Sequence, residues 1–443
     1  MTSFPQLLMN RELGLPGAQQ RIVQAMELMT ARNLASDSYY SETINLPQSS
    51  CHKIFRCRDL MAVLSMNKTG QKVYSLALWS LITRCKLWDI ELDSNYIDSD
   101  PGECLLNEYG MVLINSKSMK GKIIVLDGKL RGVLPKLNWY SIVPIGNRIL
   151  GCWAEGHNPN DGKPCWRPEN SNHFFGEWDE KGKSLNRYLL DHTRGRSTHQ
   201  YACNKGFWVR LSGSQEANLT SIIEVVDRVT GTMKTFELPL IPDQEQFSSA
   251  CIVQNRLFYG KNAIRPWGEY NIKAAYEPTI CIYDLVKGVI LEEFPTGAEK
   301  GEPKYLVASQ SYAAWLEYRG SNIDRVKYLN VLDKTVKDAT VVPYCVDNFK
   351  VVLNIAGAIL SVTYAEGYCN TGWAVWRRKV IDMSTGELKC DVGYKRYSWR
   401  ECSNSNGTML ITDCFRNQSR IYMESFANGG LSGNESSFRG KLT

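Results

Sequence analysis

The chain has 443 residues, of which 43% are hydrophobic and 22% charged, a composition typical of a folded globular protein. Its net charge of +6 is small for this length, so the charge itself indicates neither a nucleic-acid partner nor a membrane surface. No apolar run is long enough to cross a bilayer, and the first residues lack the basic start and apolar stretch of a signal peptide. We therefore expect a soluble protein with no nucleic-acid or membrane partner.

The cysteines predict the cellular compartment. There are 14 of them, scattered along the chain, and several lie inside apolar runs, as Cys152, Cys251 and Cys281 do. Without a secretory signal, this pattern favours reduced, buried thiols in a cytoplasmic protein. The alternative is a secreted protein with disulfides, which N-x-S/T sequons would fit. These sequons begin at Asn67, Asn218, Asn406, Asn417 and Asn434.

Residues 1–36 differ from the rest of the chain and are expected to form an N-terminal extension. Within it, residues 18–32 have helical periodicity, with Ile22, Met26 and Met29 on one stripe and polar residues elsewhere. We expect a short helix that packs against the main domain. The alternative is a helix that recruits a partner.

From Tyr39 onward the sequence favours β-structure, and one pattern recurs. At residues 280–294 (ICIYDLVKGVILEEF) an apolar run ends in Asp, the chain turns within a few residues to Gly, and a second apolar run follows. Asp can accept hydrogen bonds from the turn backbone and Gly can adopt positive φ, so the pattern predicts two antiparallel strands joined by a tight turn. We expect equivalent turns at Asp89, Asp127, Asp179, Asp227, Asp284, Asp333 and Asp382.

The spacing of these turns predicts an all-β, β-propeller fold. They recur at intervals of roughly 40–50 residues, enough for four strands per unit. Three strands are expected after the last turn, ending with residues 420–426, and an unassigned strand at residues 39–46 could complete their sheet. Such pairing would close the ring and remove two exposed sheet edges. We expect a propeller over residues 37–427 with eight blades, with seven as the alternative, and a Gly- and Ser-rich, disordered tail over residues 428–443.

These units resemble the blades of WD40-like and quinoprotein-like β-propellers. Trp-Asp pairs occur at Trp88-Asp89 and Trp178-Asp179, although no Gly-His opens the units. The resemblance implies radial four-stranded sheets over residues 39–426. It implies no particular activity, because such rings include enzymes, scaffolds and receptors.

The longest insertions fall between the second and third predicted strands of a unit, at residues 155–171, 261–278 and 366–371. In a sheet of alternating strands, all of these loops leave from one face of the disc, opposite the Asp turns. Loops on a rigid scaffold often carry recognition, and Trp, Tyr and Arg dominate binding energy at interfaces. The alternative is that the aromatic side chains fold back onto their own blades. The candidate binding residues are Trp166, Arg167, Arg265, Trp267, Tyr270 and Tyr368.

We expect no metal, no cofactor and no catalytic residue. His192 and His199 have no helical spacing and no neighbouring carboxylate cluster, and the sequence contains neither C-x-x-C nor G-x-S-x-G. The sequence thus favours a monomeric, non-enzymatic scaffold that holds a protein partner. The alternative is a hydrolase or lyase acting on a polar ligand, such as a glycan, at the mouth of the central channel.

Overall fold

The structure is a computed structural model, and its described residues form strands, turns and short connections without a helix. The described residues are 40–46, 50–57, 60–67, 73–80, 85–92, 97, 104–115, 121–135, 137–156, 171–190, 196–214, 220–238, 245–263, 277–297, 302–318, 323–343, 351–369, 373–396, 402–405, 408–415 and 418–425. The all-β prediction is confirmed for this part of the chain. The predicted N-terminal helix and the C-terminal tail lie outside the described residues.

Seven antiparallel sheets are each built from four consecutive strands. Sheet 1 contains β2 (Ser50–Cys57), β3 (Leu60–Asn67), β4 (Val73–Ser80) and β5 (Lys86–Leu92). Sheet 2 contains β6 (Leu105–Leu106), β7 (Val112–Asn115), β8 (Lys122–Leu126) and β9 (Lys129–Leu134). Sheet 3 contains β10 (Asn138–Ile145), β11 (Arg148–Gly156), β12 (Ser171–Asp179) and β13 (Ser184–Leu190). Sheet 4 contains β14 (Arg196–Cys203), β15 (Phe207–Ser214), β16 (Ile222–Asp227) and β17 (Thr232–Glu237).

The remaining sheets follow the same order along the chain. Sheet 5 contains β18 (Glu245–Val253), β19 (Arg256–Ala263), β20 (Thr279–Asp284) and β21 (Val289–Pro295). Sheet 6 contains β22 (Glu302–Ala308), β23 (Tyr312–Tyr318), β24 (Ile323–Asn330) and β25 (Thr335–Pro343). Sheet 7 contains β26 (Val352–Ala356), β27 (Ile359–Cys369), β28 (Trp373–Asp382) and β29 (Glu387–Arg396). A further four-stranded sheet, sheet 8, joins β1 (Tyr40–Leu46) to β30 (Cys402–Ser405), β31 (Thr408–Phe415) and β32 (Gln418–Ser425).

Sheet 8 is the one sheet among those described that contains strands from both ends of the chain. β1 pairs antiparallel with β32 over its whole length, from Tyr40 opposite Ser425 to Leu46 opposite Ser419. All hydrogen-bonding partners of β1 in the sheet thus come from a strand far away in the sequence.

Burial follows the strand order within each sheet. The second and third strands carry most of the buried residues, as in β20, whose six residues are all buried. The fourth strands are largely exposed, and the burial of β17 alternates only between exposed and half-buried positions. First strands contact the first strands of neighbouring sheets, for example β14 with β18 and β18 with β22. The first strand of each sheet is therefore its inner edge and the fourth strand its outer edge.

The core consists of apolar layers between neighbouring sheets. One layer joins sheets 4 and 5 through Val209, Ile223 and Tyr259, and another joins sheets 6 and 7 through Leu316 and Leu360. Because both faces of a middle strand are covered by neighbouring sheets, its apolar residues run consecutively instead of alternating with polar ones. Each sheet thus depends on its neighbours for burial, as expected in a repeat architecture.

Three tryptophans fill the layer between sheets 2 and 3. The ring centroids of Trp139, Trp153 and Trp178 lie 5.1–5.8 Å from one another, mostly edge to face. Beneath these rings, Gly151 and Gly176 lie opposite each other on β11 and β12. A Cβ atom at Gly176 would lie 2.8 Å from the Trp153 ring and 2.9 Å from the Trp178 ring. The two glycines therefore provide the space that the rings occupy.

We expect Gly176→Ala to lower the free energy of unfolding by about 1–3 kcal/mol, because both neighbouring rings are buried and would have to shift. Chemical denaturation followed by tryptophan fluorescence measures the change. Gly206→Ala is the matched control, since its added Cβ would meet its nearest neighbour at 3.6 Å, an ordinary contact. Equal effects of the two substitutions would contradict the packing role of Gly176.

Two of the predicted Asp turns are wrong. Asp89 lies in the middle of β5, paired with Ala77, and the connection between β4 and β5 precedes Lys86. In sheet 6 the residue that accepts the turn hydrogen bonds is Asn330, not Asp333: its Oδ1 accepts from Leu332 N at 3.0 Å and from Asp333 N at 3.3 Å. Lys334, with φ of 55°, takes the place held by Gly in other turns.

The other Asp turns form as predicted, between the third and fourth strands. Asp227 Oδ1 accepts from Val229 N and Thr230 N, and Asp284 Oδ1 accepts from Val286 N and Lys287 N. These hydrogen bonds explain the recurring Asp without a catalytic role. Asp127 and Gly128 both have positive φ and form a two-residue hairpin turn.

Candidate functional site

The connections between strands define two different faces. The turn face carries the turns between first and second strands and between third and fourth strands, such as residues 146–147 and 285–288. The loop face carries the connections between second and third strands, including residues 157–170 of sheet 3 and 264–278 of sheet 5. Both of these long connections therefore begin and end at the same face.

Most of the predicted binding residues lie outside the described residues. Trp166 and Arg167 belong to the connection between β11 and β12. Arg265, Trp267 and Tyr270 belong to the connection between β19 and β20. The prediction placed Tyr368 in a loop as well, but it lies in β27, opposite Ala374 of β28, because these two strands extend further than the sequence pattern indicated.

A cluster of charged and aromatic side chains lies where the sheet 3 connection begins. Trp153 Nε1 donates to Glu155 Oε1 at 2.7 Å, and Arg187 Nη2 donates to Glu155 Oε2 at 2.8 Å. The Arg187 guanidinium carbon lies 3.8 Å from the centroid of the Phe174 ring, a cation–π distance. About half of the Arg187 side chain is exposed. The strand end that leads into residues 157–170 is therefore fixed by several contacts.

Sheets 5 and 7 have comparable charged pairs. Lys261 lies two residues before the end of β19, and its Nζ is 2.7 Å from Glu293 Oε1. On β28 and β29, the Arg377 guanidinium binds the Asp391 carboxylate with two parallel hydrogen bonds, of 2.5 and 2.8 Å. Bidentate geometry of this kind restricts both side chains.

Two further charged pairs are buried between sheets. Arg210 and Glu224 face each other on β15 and β16, are ion-paired through Arg210 Nε and Glu224 Oε2, and are completely buried. In sheet 6, Lys327 Nζ lies 2.9 Å from Glu317 Oε2 and donates to the Thr296 carbonyl at 2.7 Å. Sequence reasoning missed both pairs, although a charged residue inside an apolar middle strand, as in FWVRLSGS and IIEVVD, was a usable signal.

Turns of neighbouring sheets are linked on the turn face. Asn107 Nδ2 donates to the Gly146 carbonyl at 2.7 Å, and Asn204 Nδ2 donates to the Gln254 carbonyl at 2.8 Å. Ser309 Oγ donates to the Gly357 carbonyl at 2.9 Å. These three hydrogen bonds, which we call the turn links, join sheet 2 to 3, sheet 4 to 5 and sheet 6 to 7.

A cavity of about 290 Å³ lies at the inner edge of sheets 3, 4 and 5, beside the turns between first and second strands. Its walls are formed by residues 141, 143, 150–151, 201–203, 208 and 250–252. None of these residues is acidic or basic at neutral pH. Burial raises the pKa of Cys203 to about 11, despite the opposing effect of Arg228, and burial alone raises the pKa of Cys251 to about 12. Both thiols are therefore uncharged at neutral pH.

The described residues contain no group of three or more His, Cys, Asp or Glu side chains placed to hold a metal ion. Within the same part of the chain, no helix is long and apolar enough to cross a membrane.

The chain is similar in fold to β-propellers of known structure. The Dos1 propeller aligns with a TM-score of 0.50 at 10% identity, over 88% of this chain and 95% of that one. The WD40 domain of SCAP from fission yeast aligns with a TM-score of 0.48 at 11% identity, over 88% and 98% of the two chains. An oligogalacturonate lyase in complex with manganese aligns at 0.40 and 11% identity, over 88% and 94%.

No protein-family model and no curated protein sequence matches the chain. The structural similarities, at about a tenth of residues identical, concern the fold alone. The radial sheets with inner first strands and outer fourth strands agree with this fold. The chain thus resembles the WD40-like β-propellers, as its sequence pattern predicted.

Proposed function

We propose that the protein is an interaction scaffold that binds a protein partner on the loop face. The observation that carries the proposal is the difference between the two faces. On the turn face, connections such as 146–147 and 254–255 are only as long as a tight turn requires. On the loop face, residues 157–170 and 264–278 are far longer than a hairpin needs. In repeat proteins, insertions of this kind collect on the binding face.

The residue types in these connections support a protein partner. Trp166, Arg167, Arg265, Trp267 and Tyr270 are of the types that supply most of the binding energy in protein interfaces. The strand ends that carry them are held by charged and aromatic contacts, as at Glu155 and Lys261. A rigid base reduces the ordering cost when a loop binds. Tyr368, within β27, would contribute at the rim of this face.

We also propose that sheet 8 closes the ring, giving eight blades over residues 37–427. The full-length antiparallel pairing of β1 with β32 supports this, because it joins the two ends of the array. Contacts of β30 with both β26 and β2 support it further, since they connect sheet 8 to sheets 7 and 1. In this proposal residues 1–36 are an extension, residues 428–443 a tail, and the protein a cytoplasmic monomer.

Affinity capture with quantitative mass spectrometry tests the partner face. The wild-type chain is compared with Arg265→Ala/Trp267→Ala and with Trp166→Ala/Arg167→Ala. If these side chains anchor the partner, recovery of the specific partner falls about tenfold or more in at least one double variant.

The matched control is Val286→Ala/Lys287→Ala on the turn face, where Val286 is 60% exposed. It removes an exposed apolar and an exposed basic side chain without touching the loop face, so recovery is expected to stay at the wild-type level. Melting temperatures verify that all variants remain folded. Equal recovery with the loop-face variants and the wild-type chain would overturn the proposal.

A further inference from the structure

The cavity beside the turns of sheets 3, 4 and 5 lies apart from the loop face and is not needed for the proposed scaffold role. Its position follows from the strands that form it. Ser141 and Val143 alternate along β10 with Ile145, which packs in the layer between sheets 3 and 4, so all three face sheet 4. Trp208 and Cys203 face sheet 3 from the other side of the same layer. The cavity therefore lies where the inner edges of these two sheets meet β18 of sheet 5.

The shape of the layer explains why space remains here. Farther out, Phe175 and Trp208 stack with ring centroids 4.1 Å apart and bring sheets 3 and 4 together. At the inner edge the wall includes the small side chains of Ser141 and Ala250. Small side chains cannot bridge the distance that the stacked rings impose, and a space of about 290 Å³ results.

The chemistry of the wall limits what can bind. Trp208 and Tyr201 contribute aromatic rings, Val143, Leu150 and Ile252 contribute aliphatic groups, and the lining contains no acidic or basic side chain. A charged ligand would lose its hydration without gaining a counter-ion. The volume is close to the lower limit of small-molecule sites, and an apolar cavity of this kind binds apolar guests of matching size.

From this geometry we propose that the cavity is a binding site for a small, uncharged aromatic molecule with the size of a one- or two-ring compound. The ligand would enter from the turn face, beside the C-terminal ends of β10, β14 and β18. Its ring would pack among Trp208, Tyr201 and Leu150. Asn204, which links its turn to Gln254 of sheet 5, lies next to Cys203 in the sequence and helps to hold this end of the site in place.

Indole serves as the probe, and calorimetry and thermal melting measure its binding. We expect saturable binding to the wild-type chain and a rise in its melting temperature. Ser141→Phe fills the cavity from β10 and is expected to abolish both effects. Ser184→Phe is the matched control, because it makes the same change at an exposed position of the outer strand of the same sheet.

A second measurement uses the wild-type chain alone and does not depend on the folding of a variant. N-ethylmaleimide labels cysteines, and peptide mass spectrometry reports the rate at each of them. At an indole concentration ten times its dissociation constant, labelling of Cys203, which faces the layer between sheets 3 and 4, should slow about tenfold, while labelling of the exposed Cys85 is unaffected. Absence of saturable binding, unchanged labelling of Cys203, or equal binding to folded Ser141→Phe would overturn the proposal.

Discussion

Glu224→Ala is expected to lower the free energy of unfolding by about 3–5 kcal/mol, which is a large part of the stability of a typical domain. Glu224 is ion-paired with Arg210, and neither side chain has any solvent exposure. Removing the carboxylate takes away the ion pair of the buried Arg210 guanidinium, and the loss of that pair is the source of the effect.

The surroundings of the pair strengthen this expectation. The Arg210–Glu224 pair faces sheet 3, where Cys152 lies within the influence of both charges. Burial raises the pKa of Cys152 well above its usual value, while Arg210 lowers it and Glu224 raises it. Surroundings in which burial raises a thiol pKa this far provide little solvation for an arginine that has lost its ion pair.

Urea denaturation at constant pH measures the change for Glu224→Ala. Asp89→Ala is the control: Asp89 forms an exposed ion pair with Lys86 at 2.6 Å, and its removal should cost less than about 1 kcal/mol. The variant Arg210→Met/Glu224→Leu should lose less stability than the sum of its single substitutions, because it leaves no buried charge. Comparable small losses for Glu224→Ala and Asp89→Ala would refute the argument.

Deletion of residues 1–46 is expected to destabilise the protein by at least about 4 kcal/mol and to yield mainly aggregated material. The deletion removes β1, so β32 loses its pairing partner over residues Ser419 to Ser425. An unpaired strand edge exposes a row of backbone donors and acceptors that can pair with another chain.

Deletion of residues 1–36 is the control, because it keeps β1 and should leave the melting temperature and the monomeric fraction close to those of the full chain. Size-exclusion chromatography and thermal melting distinguish the two deletions. If the chain lacking residues 1–46 stays monomeric and melts like the control, β1 does not close the ring and the eight-blade proposal fails.

The sequence predicted the hairpins well because their information is local. The pattern at residues 280–294 corresponds to β20 and β21, with the turn at Asp284 where Asp was expected to accept backbone hydrogen bonds. The pattern failed where Asn, instead of Asp, accepts the hydrogen bonds of the turn. Asn330 accepts the same backbone bonds as Asp, so attention to Asp alone selected Asp333, three positions further on.

Asp89 shows a second limit of local patterns. In KLWDIEL the alternation of apolar and polar residues is that of a strand, and the Asp is simply one of its exposed positions. Nothing within this segment tells a polar strand residue from a turn residue.

The candidate sites were predicted only in part. Strand order shows that the strands flanking residues 157–170 and 264–278 end at one face. That this face binds a partner stays a prediction. The cavity could not be predicted from the sequence, because it depends on how closely sheets 3 and 4 approach, which the stacking of Phe175 on Trp208 determines. Likewise, the partner of Arg210 becomes evident only when the register of β15 against β16 is known.

The turn links described above connect neighbouring sheets in pairs. They tie sheets 2 and 3, 4 and 5, and 6 and 7 into doublets through side-chain hydrogen bonds that also hold a turn in shape. Between the doublets, other side chains form hydrogen bonds of the same kind: Tyr188 of sheet 3 donates to the Gly231 carbonyl of sheet 4, and Lys327 of sheet 6 donates to the Thr296 carbonyl, which follows β21 of sheet 5. From sheet 2 to sheet 7, each neighbouring pair is therefore connected by at least one side-chain hydrogen bond to a backbone carbonyl, and we expect these six sheets to unfold as one cooperative unit.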